Sequence, residues 1–200
     1  VCSIFVNPTQ FNNASDLDKY PRTPEADFSM LRESGCDAVF CPSVASMYEQ
    51  PSQIKMDFGS LDKIFEGAFR PGHFSGVGLV VSKLFNIVQP QRAYFGQKDF
   101  QQFKIISRLV EELKFNISLI AVPIVREPDG LAMSSRNTRL TADERRRATV
   151  LFDCLKSTRA GLLRGELFSK LKSDVLRHCE QNEVRLEYLA LANKHDLSEL

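Results

Sequence analysis

Residues 92–122 read RAYFGQKDFQQFKIISRLVEELKFNISLIAV, and their pattern decides the fold. Residues 92–95 read as a short strand, and Gly96 turns the chain. Over 99–114 the apolar residues Phe100, Phe103, Ile106, Leu109, Val110 and Leu113 recur close to the helical period. Residues 117–125 then read as the next strand, short and rich in β-branched residues. A strand, a turn, a helix and a second strand predict a parallel pair with a right-handed crossover.

Working outward, the same alternation recurs. Residues 1–6 (VCSIFV) read as a buried strand stopped by Asn7-Pro8. Thr23-Pro24-Glu25-Ala26-Asp27 is a helix start: Thr can cap, Pro suits the first position, and the acids favour the positive end of the dipole. Met30 and Leu31 supply the expected apolar stripe and Gly35 the stop. A strand over 37–41 ends at Pro42. Residues 76–88 are too apolar for a surface helix and predict a buried one, ended by Gln89-Pro90. These elements predict an α/β domain over 1–124 built on a mostly parallel sheet.

Past Val125 the character changes. Pro128-Asp129-Gly130 signals a turn in a polar loop. Thr141-Ala142-Asp143-Glu144 is a capping box, and a helix of roughly twenty residues is expected after it. A second helix over 166–181 and a strand over 184–192 follow. Residues 125–200 are therefore expected to form a small α+β domain. The Arg145-Arg146-Arg147 run falls in a helical pattern and reads as a solvated face.

Composition bounds the function. The 200 residues carry 26 Lys+Arg against 25 Asp+Glu, a net charge of +1. The balance holds on both sides of residue 124, with 12 basic and 13 acidic residues before it and 14 and 12 after it. Nucleic acid as main partner needs a basic excess that is missing. No apolar run approaches the roughly 18 to 20 residues of a membrane span. The cysteines at 2, 36, 41, 154 and 179 are odd in number and lack CxxC spacing, so they read as buried thiols in a reducing, cytoplasmic compartment. The opening Val1, already in strand pattern and without Met, reads as continuing from an upstream start.

Four constellations carry chemistry. Gly96-Gln97-Lys98-Asp99 sits after a strand and before a helix, where an open parallel sheet binds ligands and a helix start receives anions. Lys98 adds a charge suited to phosphate, and Asp99 would cap the helix or accept from a ribose hydroxyl. A plain Gly turn with an Asp cap fits equally. Met133-Ser134-Ser135-Arg136-Asn137 is rich in donors suited to a phosphoryl group, or else a polar linker. Asn7-Pro8-Thr9-Gln10-Phe11 follows the first strand, where Gln10 would read a small polar substrate or the segment would merely turn. Gln102 lies one helical turn past Asp99 and would point at the same pocket. Arg70-Pro71-Gly72-His73-Phe74 contains a histidine that is either structural or catalytic. His178 and His195 read as structural or surface residues.

Together, residues 3–11 (SIFVNPTQF), 20–23 (YPRT), 66–74 (EGAFRPGHF), 95–102 (FGQKDFQQ) and 129–137 (DGLAMSSRN) resemble the pantothenate synthetase (pantoate–β-alanine ligase) family, in that family's order and over essentially the whole chain. The resemblance implies a Rossmann-like domain of the nucleotidyltransferase and class I synthetase type, here without its first strand, followed by a C-terminal lid. It implies ATP-dependent condensation of pantoate with β-alanine through pantoyl adenylate, with Mg²⁺ accompanying the ATP, and a homodimer. Residue by residue, it implies pantoate contacts from Gln10 and Gln102. Gly96, Gln97, Lys98 and Asp99 match the nucleotide loop, with Lys98 on phosphate and Asp99 near the ribose. Ser134, Ser135 and Arg136 match the loop that closes on the triphosphate, Val125 and Met133 the adenine-lining positions, and Arg70 and His73 a motif near substrate. Lys98, Ser134 and Arg136 are the residues expected to act in catalysis.

Two departures bear on activity. Thr9 stands where the family usually has Met. The family's HxGH nucleotide motif, expected upstream of Val1, does not occur in the 200 residues, so the chain as given is expected to be impaired or inactive. Two alternatives stay open: another small-substrate nucleotidyltransferase, and a non-catalytic nucleotide-binding or dimerisation module.

Overall fold

The computed structural model describes residues 1–200, which divide into two compact units, Val1–Val122 and Pro123–Leu200. The division falls just before the boundary expected at 124/125.

The first unit begins with β1 (Cys2–Ser3), a 3₁₀ turn over Pro8–Gln10, α1 (Ala14–Asp18) and α2 (Pro24–Glu33). β2 (Val39–Phe40), α3 (Val44–Met47), α4 (Phe65–Phe69) and α5 (His73–Val88) follow. β3 (Arg92–Gly96), a 3₁₀ turn over Gln97–Asp99, α6 (Phe100–Glu112) and β4 (Ser118–Val122) complete it. The predicted crossover over 92–122 is present: β3 and β4 run parallel from Arg92 against Ser118 to Gly96 against Val122. β1 and β2 are also parallel, Cys2 against Val39. The two pairs are separate ladders and do not join into one sheet. The six-residue strand expected at the start is shorter, because ladder bonds reach only Cys2 and Ile4 before Asn7-Pro8 turns the chain.

α5 is buried, as its composition predicts, with Phe74, Val77, Val80, Val81 and Phe85 in the core. It starts at His73, three residues before the expected Gly76, because Gly72 takes φ 81° at its entry. Phe85 meets Phe95 and Phe115 edge to face, tying the helix to β3 and the α6–β4 connection. α6 adds Ile105, Ile106 and Leu109 on one stripe. The stripe expected from Met30 and Leu31 in α2 is corrected: Met30 is exposed, and the covered line is Pro24, Asp27 and Leu31, so α2 contributes no fully buried residue.

In the second unit the Thr141 capping box forms in both directions. Thr141 Oγ1 accepts from the Glu144 N–H at 3.2 Å, and the Glu144 carboxylate accepts from the Thr141 N–H at 2.9 Å. Thr141→Ala is expected to lower the stability of this unit by about 1 kcal/mol, read as a fall in its urea midpoint at constant m. The long helix expected after it is two helices, α7 (Ala142–Ala148) and α8 (Val150–Leu163). Thr149 breaks them by turning its hydroxyl back onto the Arg146 carbonyl at 2.8 Å. α9 (Phe168–Gln181) packs on α8 through Val150, Cys154, Val175 and Cys179. The strand expected over 184–192 is absent. Val184, Leu186 and Leu189 do turn onto this core, but their backbone has no ladder partner apart from an isolated bridge at Ala192–Glu199.

The cysteines are free, but only Cys154 and Cys179 are buried. Cys2 and Cys36 are half-covered and Cys41 is exposed, since the chain leaves β2 at Phe40. No helix is long and apolar enough to cross a membrane.

Candidate functional site

In the first unit the site grows from the turn after β1. Asn7 is 2% exposed, although its residue type is common on surfaces. Its Nδ2 donates to the Gly76 carbonyl at 3.2 Å and to Gln10 Oε1 at 3.3 Å. Its Oδ1 accepts from Tyr48 Oη at 2.8 Å, Thr9 Oγ1 at 3.0 Å and the Thr9 N–H at 3.4 Å. Asn7 thus pins the Pro8–Gln10 turn onto α5, at a point where Gly76 lets backbone touch backbone.

The second hold on that turn comes from the start of α5. The Gln10 carbonyl accepts from His73 Nδ1 at 2.8 Å and from the Arg70 guanidinium at 3.2 Å. Arg70 is oriented in turn by Glu66 at 3.1 Å. Burial pushes the His73 pKa below its ordinary value, against the opposing pull of the Gln10 carbonyl. The ring is therefore neutral near pH 7, with its proton on Nδ1 and Nε2 left as an acceptor. Asp99 also acts electrostatically on the ring, raising its pKa slightly against the effect of burial. Arg70 and His73 are positioning residues here: they hold the backbone of Gln10.

Gly96, Gln97, Lys98 and Asp99 lie exposed at the carboxyl end of β3. Gly96 has an ordinary φ of −70°, and the space where a Cβ would stand is open within 4 Å. Asp99 does not cap α6 with its side chain. Its carboxylate instead pairs with Lys98 at 3.3 Å. Such an exposed pair is worth about 0–1 kcal/mol, so an arriving phosphate would draw Lys98 away cheaply. Gln102 is half-buried one turn into α6. Its neighbour Gln101 is the fixed one, donating to the carbonyls of Leu61 and Ile64 at 2.9 and 2.8 Å.

In the second unit, residues 125–133 fold back on themselves. Arg126 bridges Ala132, Gly130 makes the turn at φ 91°, and the Met133 N–H donates to the Val125 carbonyl at 3.0 Å. Val125 and Met133 therefore stand side by side, both exposed. Ser134 caps the following 3₁₀ turn, Ser135–Arg139, by accepting from the Arg136 N–H at 3.3 Å. A pocket of about 580 Å³ opens here, lined by Met133, Ser134, Ser135, Asn137, Glu127 and Arg145, among others. Arg136 is exposed on the same turn, outside that lining.

Sequence reasoning missed what braces this pocket. Arg145 donates to Glu127 at 2.6 Å and to Asp129 at 2.7 Å, and Asn137 donates to the other Glu127 oxygen at 2.8 Å. The basic run is a solvated face at Arg146 and Arg147, which pair with exposed Asp143 and Glu183, and only Arg145 turns in to brace the pocket. A spacing of sixteen to eighteen residues gives no local signal for such a brace. For Glu127, chiefly the Arg145 and Asn137 hydrogen bonds hold the pKa below the ordinary value. For Asp129 it is the Leu131 N–H and then Arg145. Carboxylates with lowered folded pKa stabilise above their unfolded pKa and lose that stabilisation as pH falls through the folded value. Arg145→Ala is accordingly expected to flatten the fall in melting temperature of this unit below about pH 5, followed by circular dichroism against pH. An unchanged pH slope would count against the brace.

A sequence model described as Pantoate-beta-alanine ligase matches residues 1–200. The chain is 56% identical over 155 residues to the pantothenate synthetase of Cytophaga hutchinsonii, an alignment covering 78% of the chain and 55% of that protein. The chain thus spans about half the length of that relative. The crystal structure of pantothenate synthetase from Thermus thermophilus superposes with a TM-score of 0.93 at 41% identity, over 99% of the chain and 72% of that structure. The pantoate-beta-alanine ligase of Francisella tularensis, solved with beta-gamma ATP and beta-alanine, gives 0.81 at 34% identity, over 96% and 70%. The Rossmann-like α/β reading of the first unit agrees with these structures, and the chain belongs to the pantoate–β-alanine ligase family.

Proposed function

We propose that this chain carries substrate- and nucleotide-handling residues of an enzyme that condenses pantoate with β-alanine at the expense of ATP. The whole-length family match carries the reading, supported by the Francisella relative solved with an ATP compound and β-alanine. In the first step a pantoate carboxylate oxygen attacks the α-phosphorus of ATP, and pyrophosphate leaves. In the second the β-alanine amine attacks the acyl carbon of pantoyl adenylate, AMP leaves, and the amine loses a proton. Both steps depend on positioning and charge neutralisation, and neither needs a protein nucleophile.

Gln10 and Gln102 are assigned to pantoate. Gly96, Gln97, Lys98 and Asp99 are assigned to the nucleotide, with Lys98 neutralising phosphate. In the second unit Ser134, Ser135 and Arg136 are assigned to phosphate oxygens, and the adjacent pair Val125 and Met133 to the adenine face. No group of three or more His, Cys, Asp or Glu side chains is placed to hold a metal ion. Mg²⁺ would accompany the ATP as part of the substrate and would share with Lys98 the neutralisation of phosphate charge.

The test is AMP release by the full-length protein with ATP, pantoate and β-alanine. AMP that requires pantoate supports the reading. Pyrophosphate release that instead requires nicotinamide mononucleotide or phosphopantetheine, whose adenylylated products retain the AMP, or no pantoate-dependent AMP at all, overturns it.

A further inference from the structure

The orientation of the Gln10 carboxamide is set from behind. Asn7 lies between two backbone groups of fixed polarity: the Thr9 N–H is a donor only, and the Gly76 carbonyl an acceptor only. Both favour Asn7 Oδ1 toward Thr9 and Nδ2 toward Gly76, but weakly. The Thr9 N–H contact is long at 3.4 Å, whereas the hydroxyls of Tyr48 and Thr9 reach the same oxygen at 2.8 and 3.0 Å. Tyr48 is held in place by Lys83, whose ammonium lies 4.6 Å from the ring centroid and bonds the Met47 carbonyl. Burial pushes the Tyr48 pKa up, so its oxygen keeps the proton it donates. With Nδ2 fixed, Gln10 must offer Asn7 its oxygen, which it does at 3.3 Å.

We propose that the hydroxyls of Tyr48 and Thr9 act together, through Asn7, as positioning groups that turn the Gln10 oxygen inward and present its NH₂ as a donor to an acceptor oxygen of the substrate acid. The assignment of Gln10 to pantoate rests on the function proposed above. The hydroxyl lock itself does not. Because each hydroxyl backs up the other, Tyr48→Phe and Thr9→Val singly are expected to change the pantoate KM by less than about threefold. The double variant is expected to raise it about tenfold or more, with kcat and the ATP KM within about twofold. A merely structural role would lower kcat and shift both KM values together.

Gln10→Glu replaces the outward donor with an acceptor and is expected to raise the pantoate KM more than any of these variants. ¹⁵N spectra of side-chain amides read the lock without substrate: exchange of the Asn7 NH₂ protons should be at least about tenfold faster in the double variant. A double variant with unchanged pantoate KM in an active background, or with unchanged Asn7 exchange, overturns the proposal. So does a Gln10→Glu enzyme that binds pantoate normally, which decides the matter if the double variant fails to fold. Absence of pantoate-dependent AMP in the unmodified protein strikes the function instead, and the exchange measurement still decides the lock.

Discussion

Gly76→Ala is expected to destabilise the first unit by about 3 kcal/mol, read as a fall in its urea midpoint at unchanged m. A Cβ at this position would stand 2.4 Å from the Thr9 carbonyl oxygen, 2.7 Å from its carbon and 3.0 Å from the Gln10 nitrogen. All three are backbone atoms of the Pro8–Gln10 turn, so no side chain can swing aside. Either α5 or the turn must move, and overpacking of this kind costs about 1–3 kcal/mol. Moving the turn also strains the Asn7–Gly76 hydrogen bond, worth a further ~1 kcal/mol. Gly96→Ala is the control, with an ordinary φ and open space, and should change stability by less than about 0.5 kcal/mol. Equal midpoints for the two variants would show that the turn does not rest on α5.

Lys98→Ala is expected to lower kcat/KM for ATP by about 10²–10³-fold, the usual loss when one preorganised donor to developing charge is removed. Its melting temperature should not move, because the side chain is 41% exposed and paired only with its neighbour Asp99. That contrast makes the result readable, since a catalytic loss with a folding loss would implicate packing. Steady-state kinetics at saturating pantoate and β-alanine, with calorimetry on the same preparation, measure both. A fall of less than threefold would remove Lys98 from the phosphate assignment.

Features encoded by neighbouring residues are legible in the sequence, and features that join distant residues are not. The Thr141 capping box is written in four consecutive residues and formed as read. The 92–122 crossover was legible because its strand, turn and helix each carry their own periodicity. The segment from Val184 to Leu189 shows the limit. Its apolar residues do face the core, but a strand also needs a partner ladder, and alternation says nothing about one. The motifs point to Gln10, Lys98 and Ser134 only through family resemblance, and their roles are part of the proposed function. The parts that hold them were not legible. Asn7 reads as a turn residue, and its burial depends on Gly76, 69 positions away. Arg145 reads as one of three surface arginines, and its role depends on carboxylates sixteen and eighteen residues upstream.

That 69-residue separation has a kinetic consequence. Contacts within the α8–α9 helical hairpin join neighbours in sequence and form with little chain to order. The Asn7–Gly76 bond closes a long loop, so most of its entropy must be spent before the contact returns anything. The turn that carries Gln10 is therefore expected to dock late in folding, after the helix that receives it. A ligand that held this turn would act as a clasp on the final closure, slowing its reopening more than it hastens the collapse that came before.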